Sequence, residues 1–556
     1  MTKGYQLLLA TLLLGSLPLI GAQAQSPSDG YRNSLEGIHG TARARAMSDA
    51  VGALGADPTA IWINPAGSVL YYQGAFSLGL DGGFGSNSVD FRNKEVAKNH
   101  TSTYGFSDFN HLAYIGSGVE FSDQPLRINW GLIYNKDYNH KRNYTLLMPL
   151  PASSITDYLT IKAMQSGQPF DRYMHTDTYD PRLQPLNQSI VLGLNAGLIE
   201  GNIAGQPKKF YRPNTWVWEK EAEQSDQIFL LPQVSQLTVK EAGGKNSLDL
   251  NLGIGYDDRY FFGATLRSTG STYRRHSEYS EDFFFKNKHK QNRQGITYDN
   301  NLNVTGRTIG LNLGALFAIG DYGRVGISYL LPQYARYTET YSASASYYND
   351  LLEEPKDKTF VYDTGGDFTS DYEMWLPGKL TLSGMVFLDQ YGMITYDLTY
   401  RNLGSAKYML PGENSHDALE DVTRLNNQYF GPQLRHSIAL ELKPLDWLTL
   451  RSGYSYTGSG IKDRAIKPGS GNTIQSEYSA SGMILDYTLA RNYQTASAGV
   501  GVRVGSLTVD LAYVYSIRKE GVYPYPALPD TKLPSVTGGA MREVRHSLAT
   551  TVTLSF

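Results

Sequence analysis

The chain has 556 residues, 41% hydrophobic and 19% charged, with 41 tyrosines and a formal net charge of −3. That balance argues against nucleic acid as a partner. The absence of cysteine excludes disulfides, thiol catalysis and thiolate metal sites.

Residues 1–24 read as a signal peptide. Lys3 supplies the charged start, Leu7 to Ile20 the apolar run, and Ala22-Gln23-Ala24 the small-x-small cleavage site. The expected mature chain begins at Gln25, and with no Cys after the cleavage site it is not a lipoprotein. The apolar run is short for a spanning helix. No later segment is apolar for long enough to span as a helix, so a membrane role demands a closed β-barrel.

Residues 25–70 are expected to form a small helical hatch. Met47, Ala50, Val51 and Leu54 recur at helical spacing and predict one short helix face, with Arg43, Arg45 and Asp49 off it. Gly55 is the expected stop, and Asp57-Pro58 a turn start. Pro65 fixes its own φ and pushes Asn64 toward extended geometry. A stiff, polar-edged segment ahead of a long β-chain suits a plug inside a barrel. The alternative is a surface helix on a soluble β-domain.

From residue 71 to 556 the pattern is strand and turn. Phe76, Leu78, Leu80 and Phe84 alternate with Ser77, Gly79 and Asp81. Leu248, Leu250, Leu252, Ile254 and Tyr256 alternate with Asp249, Asn251 and Gly253. Counting such segments gives about fourteen strands, joined by strictly alternating short turns and long polar connections. That is the signature of a transmembrane antiparallel β-barrel. The longest connection, 136–244, carries two apolar helical patterns. One is Ile155, Tyr158, Leu159 and Ala163 behind a Ser154/Asp157 capping box; the other is Ile190, Leu194 and Leu198. Ile155, Leu159, Leu194 and Leu198 are the candidate walls of an apolar ligand groove. Burial stabilises roughly 0.8 kcal/mol per methylene, so a sixteen-carbon chain gains on the order of ten kcal/mol gross in such a groove.

The opposite strand faces carry Asp249, Arg267, Arg324, Asp397, Arg401, Arg435, Glu441, Arg451, Arg503 and Asp510. Arg facing lipid costs about 2–4 kcal/mol at mid-bilayer, so these residues belong in the lumen. There they can pair with Arg43, Arg45 and Asp49. No GxSxG, HExxH or Walker pattern occurs, and the chain is read as a non-enzyme without cofactor or metal. His140, His276 and His416 fall in expected loops. Glu281-Asp282 and Glu420-Asp421 read as solvated loop faces.

The run Gly40 to Gly67, centred on VGALGADPTAIWINPAG, resembles the N-terminal hatch of the FadL-type long-chain fatty-acid transporters of Gram-negative outer membranes. Members of its Bacteroidetes branch are often labelled hemin receptors. Ser48-Asp49 departs from the family, where many members carry glycines. The resemblance implies passive transport of long-chain fatty acids or similar hydrophobic molecules past the hatch and out through an opening in the barrel wall. It implies a gating role for Asn64, Pro65, Ala66, Arg43 and Arg45. Gly131 in the third strand is the candidate irregularity behind the opening. Lipopolysaccharide and the barrel assembly machinery, which reads a terminal aromatic such as Phe556, are the implied partners, and the chain is expected to act as a monomer. A haem or aromatic-compound channel, or a structural or adhesive barrel, are the competing readings.

Overall fold

The computed structural model describes residues 26–91, 100–117, 125–149, 151, 153–174, 185–203, 205–213, 216–218, 227–229, 232–287, 290–349, 359–363, 367–412, 419–462, 484–526 and 538–556. The expected signal peptide and His416 lie outside these residues. Fourteen antiparallel strands close into one barrel. They are β1 (Ala75–Phe91), β2 (His100–Gly116), β3 (Leu126–Asn139), β4 (Val234–Tyr256), β5 (Tyr260–Asn287), β6 (Lys290–Ile319) and β7 (Gly323–Leu330), followed by β8 (Lys379–Phe387), β9 (Gly392–Asn402), β10 (Pro432–Leu445), β11 (Leu448–Gly458), β12 (Tyr487–Val504), β13 (Leu507–Tyr523) and β14 (Gly539–Ser555). β14 returns to β1 in unbroken register from Ala75↔Ser555 to Phe91↔Gly539. Closure leaves no edge strand.

The period-2 alternation produces two chemically distinct faces. On β4, Leu248, Leu250 and Leu252 are about half exposed, whereas Asp249 between them is fully buried. The same apolar outer band recurs on β1, β5, β6, β7, β10, β13 and β14. No helix among the described residues is long and apolar enough to cross a membrane. An exposed apolar band around a polar, closed interior is stable only in lipid. The chain is an outer-membrane, multi-pass β-barrel, and the strand count read from the alternation is borne out.

The connections differ from expectation. β5 and β6 stay paired from Tyr260↔Phe317 to Asn287↔Lys290, so the expected long loop 268–298 is a tall hairpin. Arg142–Pro149 continues β3 along β4, and β4 starts at Val234, so the excursion 136–244 is strand at both ends. Likewise Gln333–Asn349 extends β7 along β6. Above the bilayer neither strand face meets hydrocarbon, so the apolar alternation stops while the ladder goes on.

The helices lie at the two ends of the lumen. At the N-terminus are α1 (Pro27–Ser34), α2 (Ala42–Ala46), α3 (Pro58–Ile63) and a 3₁₀ turn, Pro65–Leu70. Above the barrel, α4 (Ile155–Gln165), α5 (Phe170–Met174) and α6 (Pro185–Asn195) form a cap on the strand extensions. Finally α7 (Glu420–Tyr429) packs beside α1.

Candidate functional site

The hatch begins as a helix that its own backbone stops. Thr41 caps α2 by accepting from the Ala44 amide. One turn later Ser48 and Asp49 take φ of 49° and 58°. Two consecutive left-handed residues cannot continue a right-handed helix. The expected helix over 47–54 is therefore absent, and Ser48 and Asp49 occupy the backbone region glycine favours. Met47, Ala50, Val51 and Leu54 are nonetheless buried together with Trp62, Val69, Phe261 and Leu316. Gly55 turns with φ of 65°. Asp57 caps α3 through the Thr59 and Ala60 amides, with Pro58 in the first helical position. Asn64 is extended, as the following proline requires.

The wall then holds this segment on ten strands. Arg43 makes a forked pair with Glu441 of β10 (2.9 and 2.8 Å), and Glu441 also binds Arg451, which binds Asp510. Arg45 pairs with Asp81 of β1 at 2.7 Å, and Arg435 of β10 reaches Asp49 at 3.3 Å. The Gly52 amide donates to Asp397 of β9, and Arg324 of β7 donates to the Leu54 carbonyl. Asn64 donates to the Ala315 carbonyl of β6 and accepts from the Ala66 amide. Asn251 of β4 donates to the Pro65 carbonyl, and Asn129 of β3 to the Ser68 and Tyr71 carbonyls. Ser497 of β12 donates to the Ala46 carbonyl, and Thr551 of β14 accepts from the Ala42 amide. Lys379 of β8 and Arg401 of β9 hold Glu36. Arg267 (4.4 Å) and Lys379 (3.8 Å) each stand over the Trp62 ring. Burial pushes the Glu36 carboxyl up, but Arg401 and Lys379 outweigh it and hold it well below the usual range. Of the ten charged residues placed in the lumen from sequence, Arg503 differs. It is exposed at the β12–β13 turn and binds Gly505.

One seam of the wall is incomplete. β2 and β3 are paired only from His111↔Asn135 to Gly116↔Trp130. Yet β2 stays paired with β1 up to Val89↔His100, and β3 with β4 up to Asn139↔Gly244. The ladder stops where both strands carry an extra residue. On β2 the register jumps between Gly79↔His111 and Leu80↔Phe109, leaving Asn110 out. On β3 it jumps between Lys136 and Tyr138, leaving Asp137 out. Such bulges bend a strand. Gly131 is not the irregularity: it sits in continuous register opposite Ile115 and Asn251. The parting is level with Leu80 and Phe84 of β1, both exposed on the apolar band, so it lies within the hydrocarbon zone. Past the bulge the chain leans inward, where Arg545 of β14 donates to the Asn139 and Lys141 carbonyls.

A cavity of ≈ 680 Å³, counting its open mouth, lies behind the parting. Its walls include His39 and Arg45 of the hatch, Phe106 and Asp108 of β2, and Lys136 and Tyr138 of β3. A larger one, ≈ 990 Å³ by the same measure, sits above it between α1 and the wall, among Arg142, Arg275, Glu241, Asp486 and several tyrosines. The arginines there are paired: Arg142 with Glu241 and Glu520, Arg275 with Asp486.

The residues expected to wall an outer groove lie elsewhere. Ile155, Leu159, Leu194 and Leu198 are buried against one another and against Phe283, Tyr298 and Leu237, and none lines these cavities. They hold the cap together. Glu281 is not solvated; it is buried under the cap and accepts from the Ile155 amide at 2.8 Å and from the Tyr279 hydroxyl. Glu420 and Asp421 do face solvent on α7. His140 is buried against Tyr138 and Tyr273. His276, Glu278 and Asp299 bring ligand-type atoms within 4.8 Å of one another, on the outside of the β5–β6 hairpin and away from the lumen.

No family model and no curated protein matches the chain. Solved structures do align over nearly all of it. A Pseudomonas aeruginosa FadL homologue is 11% identical, covering 94% of this chain and 99% of its own, with a TM-score of 0.46. The monoaromatic hydrocarbon channel CymD is 9% identical over 93% and 98%, at 0.44. The Pseudomonas putida toluene transporter TodX is 12% identical over 94% and 99%, at 0.43. All three scores fall below 0.5, so function has to be read from this chain's own geometry. That geometry is fourteen antiparallel strands closed around an N-terminal hatch.

Proposed function

We propose that the protein carries long-chain fatty acids or similar hydrophobic small molecules passively across the outer membrane. In this reading residues 25–70 are a fixed hatch, residues 71–556 are the barrel, and cargo leaves sideways through the β2–β3 seam. The observation that carries it is the interrupted ladder inside the apolar band with a cavity behind it. A hatch tied to ten strands does not suit bulk flow of solutes through the floor. A side exit delivers an apolar molecule into hydrocarbon, where each methylene stays out of water. Arg43, Arg45, Asn64, Pro65 and Ala66 then act by keeping the floor closed, so that the seam is the way out. The cavities carry cations and aromatic rings, which suit a molecule with a polar head and an apolar tail.

The test is uptake of radiolabelled oleate by cells that lack their own transporter and express this chain, with swelling of reconstituted vesicles in small sugars as the counter-measurement. Saturable oleate uptake without sugar permeation is expected. Sugar permeation at porin-like rates, with no oleate uptake, would overturn the reading. Competition of oleate uptake by toluene and by haem separates the fatty-acid reading from the aromatic and haem alternatives. The two apolar neighbours named above are described as carriers of monoaromatic hydrocarbons or toluene.

A further inference from the structure

We propose that Asp108, Lys136 and Asn139 form a polar latch that holds the β2–β3 seam shut. This rests on the transport reading above, and names the part that regulates its exit. Where the backbone ladder ends, side chains replace it. The Lys136 ammonium donates to one carboxylate oxygen of Asp108, and the Asn139 amide donates to the other. Asp108 and Asn139 lie just past the two bulges and Lys136 just before the second, on opposite lips of the parting, and both charged members line the cavity behind it. Lys136 and Asp108 are partly buried, at 21% and 16% side-chain exposure, so water and salt screen them only in part. Higher up, Asn143 donates to the Thr103 carbonyl and Asn87 donates to the Asn143 carbonyl, again side-chain bonds in place of a ladder. A ladder breaks only with several backbone bonds at once. A single ion pair with one amide can part and reform without unfolding either strand.

The latch is also wired to the hatch. Asp108 stands opposite Asp81 in the β1–β2 register, and Asp81 holds Arg45. The wall's weak seam and the floor's strongest link to β1 are thus one residue pair apart.

The chain's lack of cysteine makes the test clean. In D108C/K136C the two thiols are bridged by a bis-methanethiosulfonate reagent and then released by reductant, with oleate uptake read in each state at matched levels of heat-modifiable barrel. The bridged form should be blocked. The reduced form should exceed the wild-type rate about fivefold, as expected for loss of a pair of this exposure. Lys136→Arg, which keeps the pair, should be slower than reduced D108C/K136C. A blocked bridged form with a reduced form no faster than wild type overturns the latch while the side exit stands. Uptake that is insensitive to the bridge overturns the side exit and the latch with it. Independently of cargo, Lys136→Met should speed amide hydrogen exchange at residues 103–110 and 136–143, and unchanged exchange there also counts against the latch.

Discussion

The floor and the cap of this barrel are both buried helical inserts, but they are held by opposite chemistry. The hatch is fixed by ion pairs and directional hydrogen bonds that link it to ten strands. The cap is fixed by Leu159, Ile190, Leu198, Phe283 and a group of tyrosines. Charged and amide bonds are directional, so the floor has one seated position. Apolar contact is non-directional, and the cap's packing can give way by degrees.

The largest expected effect breaks the floor. Glu441→Ala strips the shared partner from Arg43 and Arg451, leaving Arg43 without its ion-pair partner and Arg451 with Asp510 alone. Removing one member of a buried pair costs about 3–5 kcal/mol. Hydrogen exchange of amides 41–54 should therefore accelerate by roughly two to four orders of magnitude, while the β4–β5 ladder exchanges as before. Equal acceleration in both would show that the hatch is not a separate unit. On the cap side, Leu159→Ala opens a cavity in a fully buried site, at a cost of about 2–5 kcal/mol. Exchange should rise across 155–165 and 190–198 with the hatch unmoved. If the hatch loosens as well, the two inserts are one cooperative body and the contrast drawn here fails.

The two regions were also unequally legible. Arg43, Arg45 and Asp49 with lumenal Glu441 and Arg435 could be paired in principle from sequence, because charge on the inner face of a lipid-facing strand has nowhere else to go. The partner of Arg45, Asp81, was visible as an inward residue of β1. What could not be read was backbone conformation. Met47, Ala50, Val51 and Leu54 have helical spacing, yet the left-handed Ser48 and Asp49 bring them together without a helix. The tall hairpins were hidden because alternation reports lipid rather than hydrogen bonding. Above the bilayer, Ser277 and Tyr279 face in while His276 and Glu278 face out, and no apolar period survives. The seam was hidden for a third reason. Its bulges fall at Asn110 and Asp137, and neither is a glycine or proline that would mark them, whereas Gly131 marks nothing.

A smaller effect sharpens the account of the floor. Asn64→Ala removes one donor to Ala315 and one cap of the 3₁₀ turn, worth about 1–2 kcal/mol together. The barrel should insert normally, with oleate uptake retained but less selective and a measurable leak of small solutes. No change in uptake, selectivity or leak at matched surface levels would leave Asn64-Pro65 as a turn and nothing more.

The subtlest prediction uses pH to separate two buried neighbours in the floor. His39 is 2% exposed, bound to the Gly37 carbonyl at 2.6 Å, edge-on to Trp62, with Asp49 4.0 Å away. Burial drives its pKa down to about 3. The seated hatch therefore holds a neutral imidazole that an unseated one, near the ordinary value of about 6.5, would protonate. Its contribution is complete above that ordinary value and is lost as pH falls toward 3. Asp49 runs the other way: burial raises its carboxyl to about 6, against the pull of Arg435 and Arg45, so acidification relieves a cost. His39→Gln keeps a polar group of similar reach and removes this titration. The other buried groups around the floor titrate in both proteins, so the difference between them reports His39. From about pH 7 to about pH 5, exchange of amides 41–54, corrected for its intrinsic pH dependence, should rise in the wild type relative to the variant. Identical pH profiles for the two would show that His39 does not govern how the floor is seated.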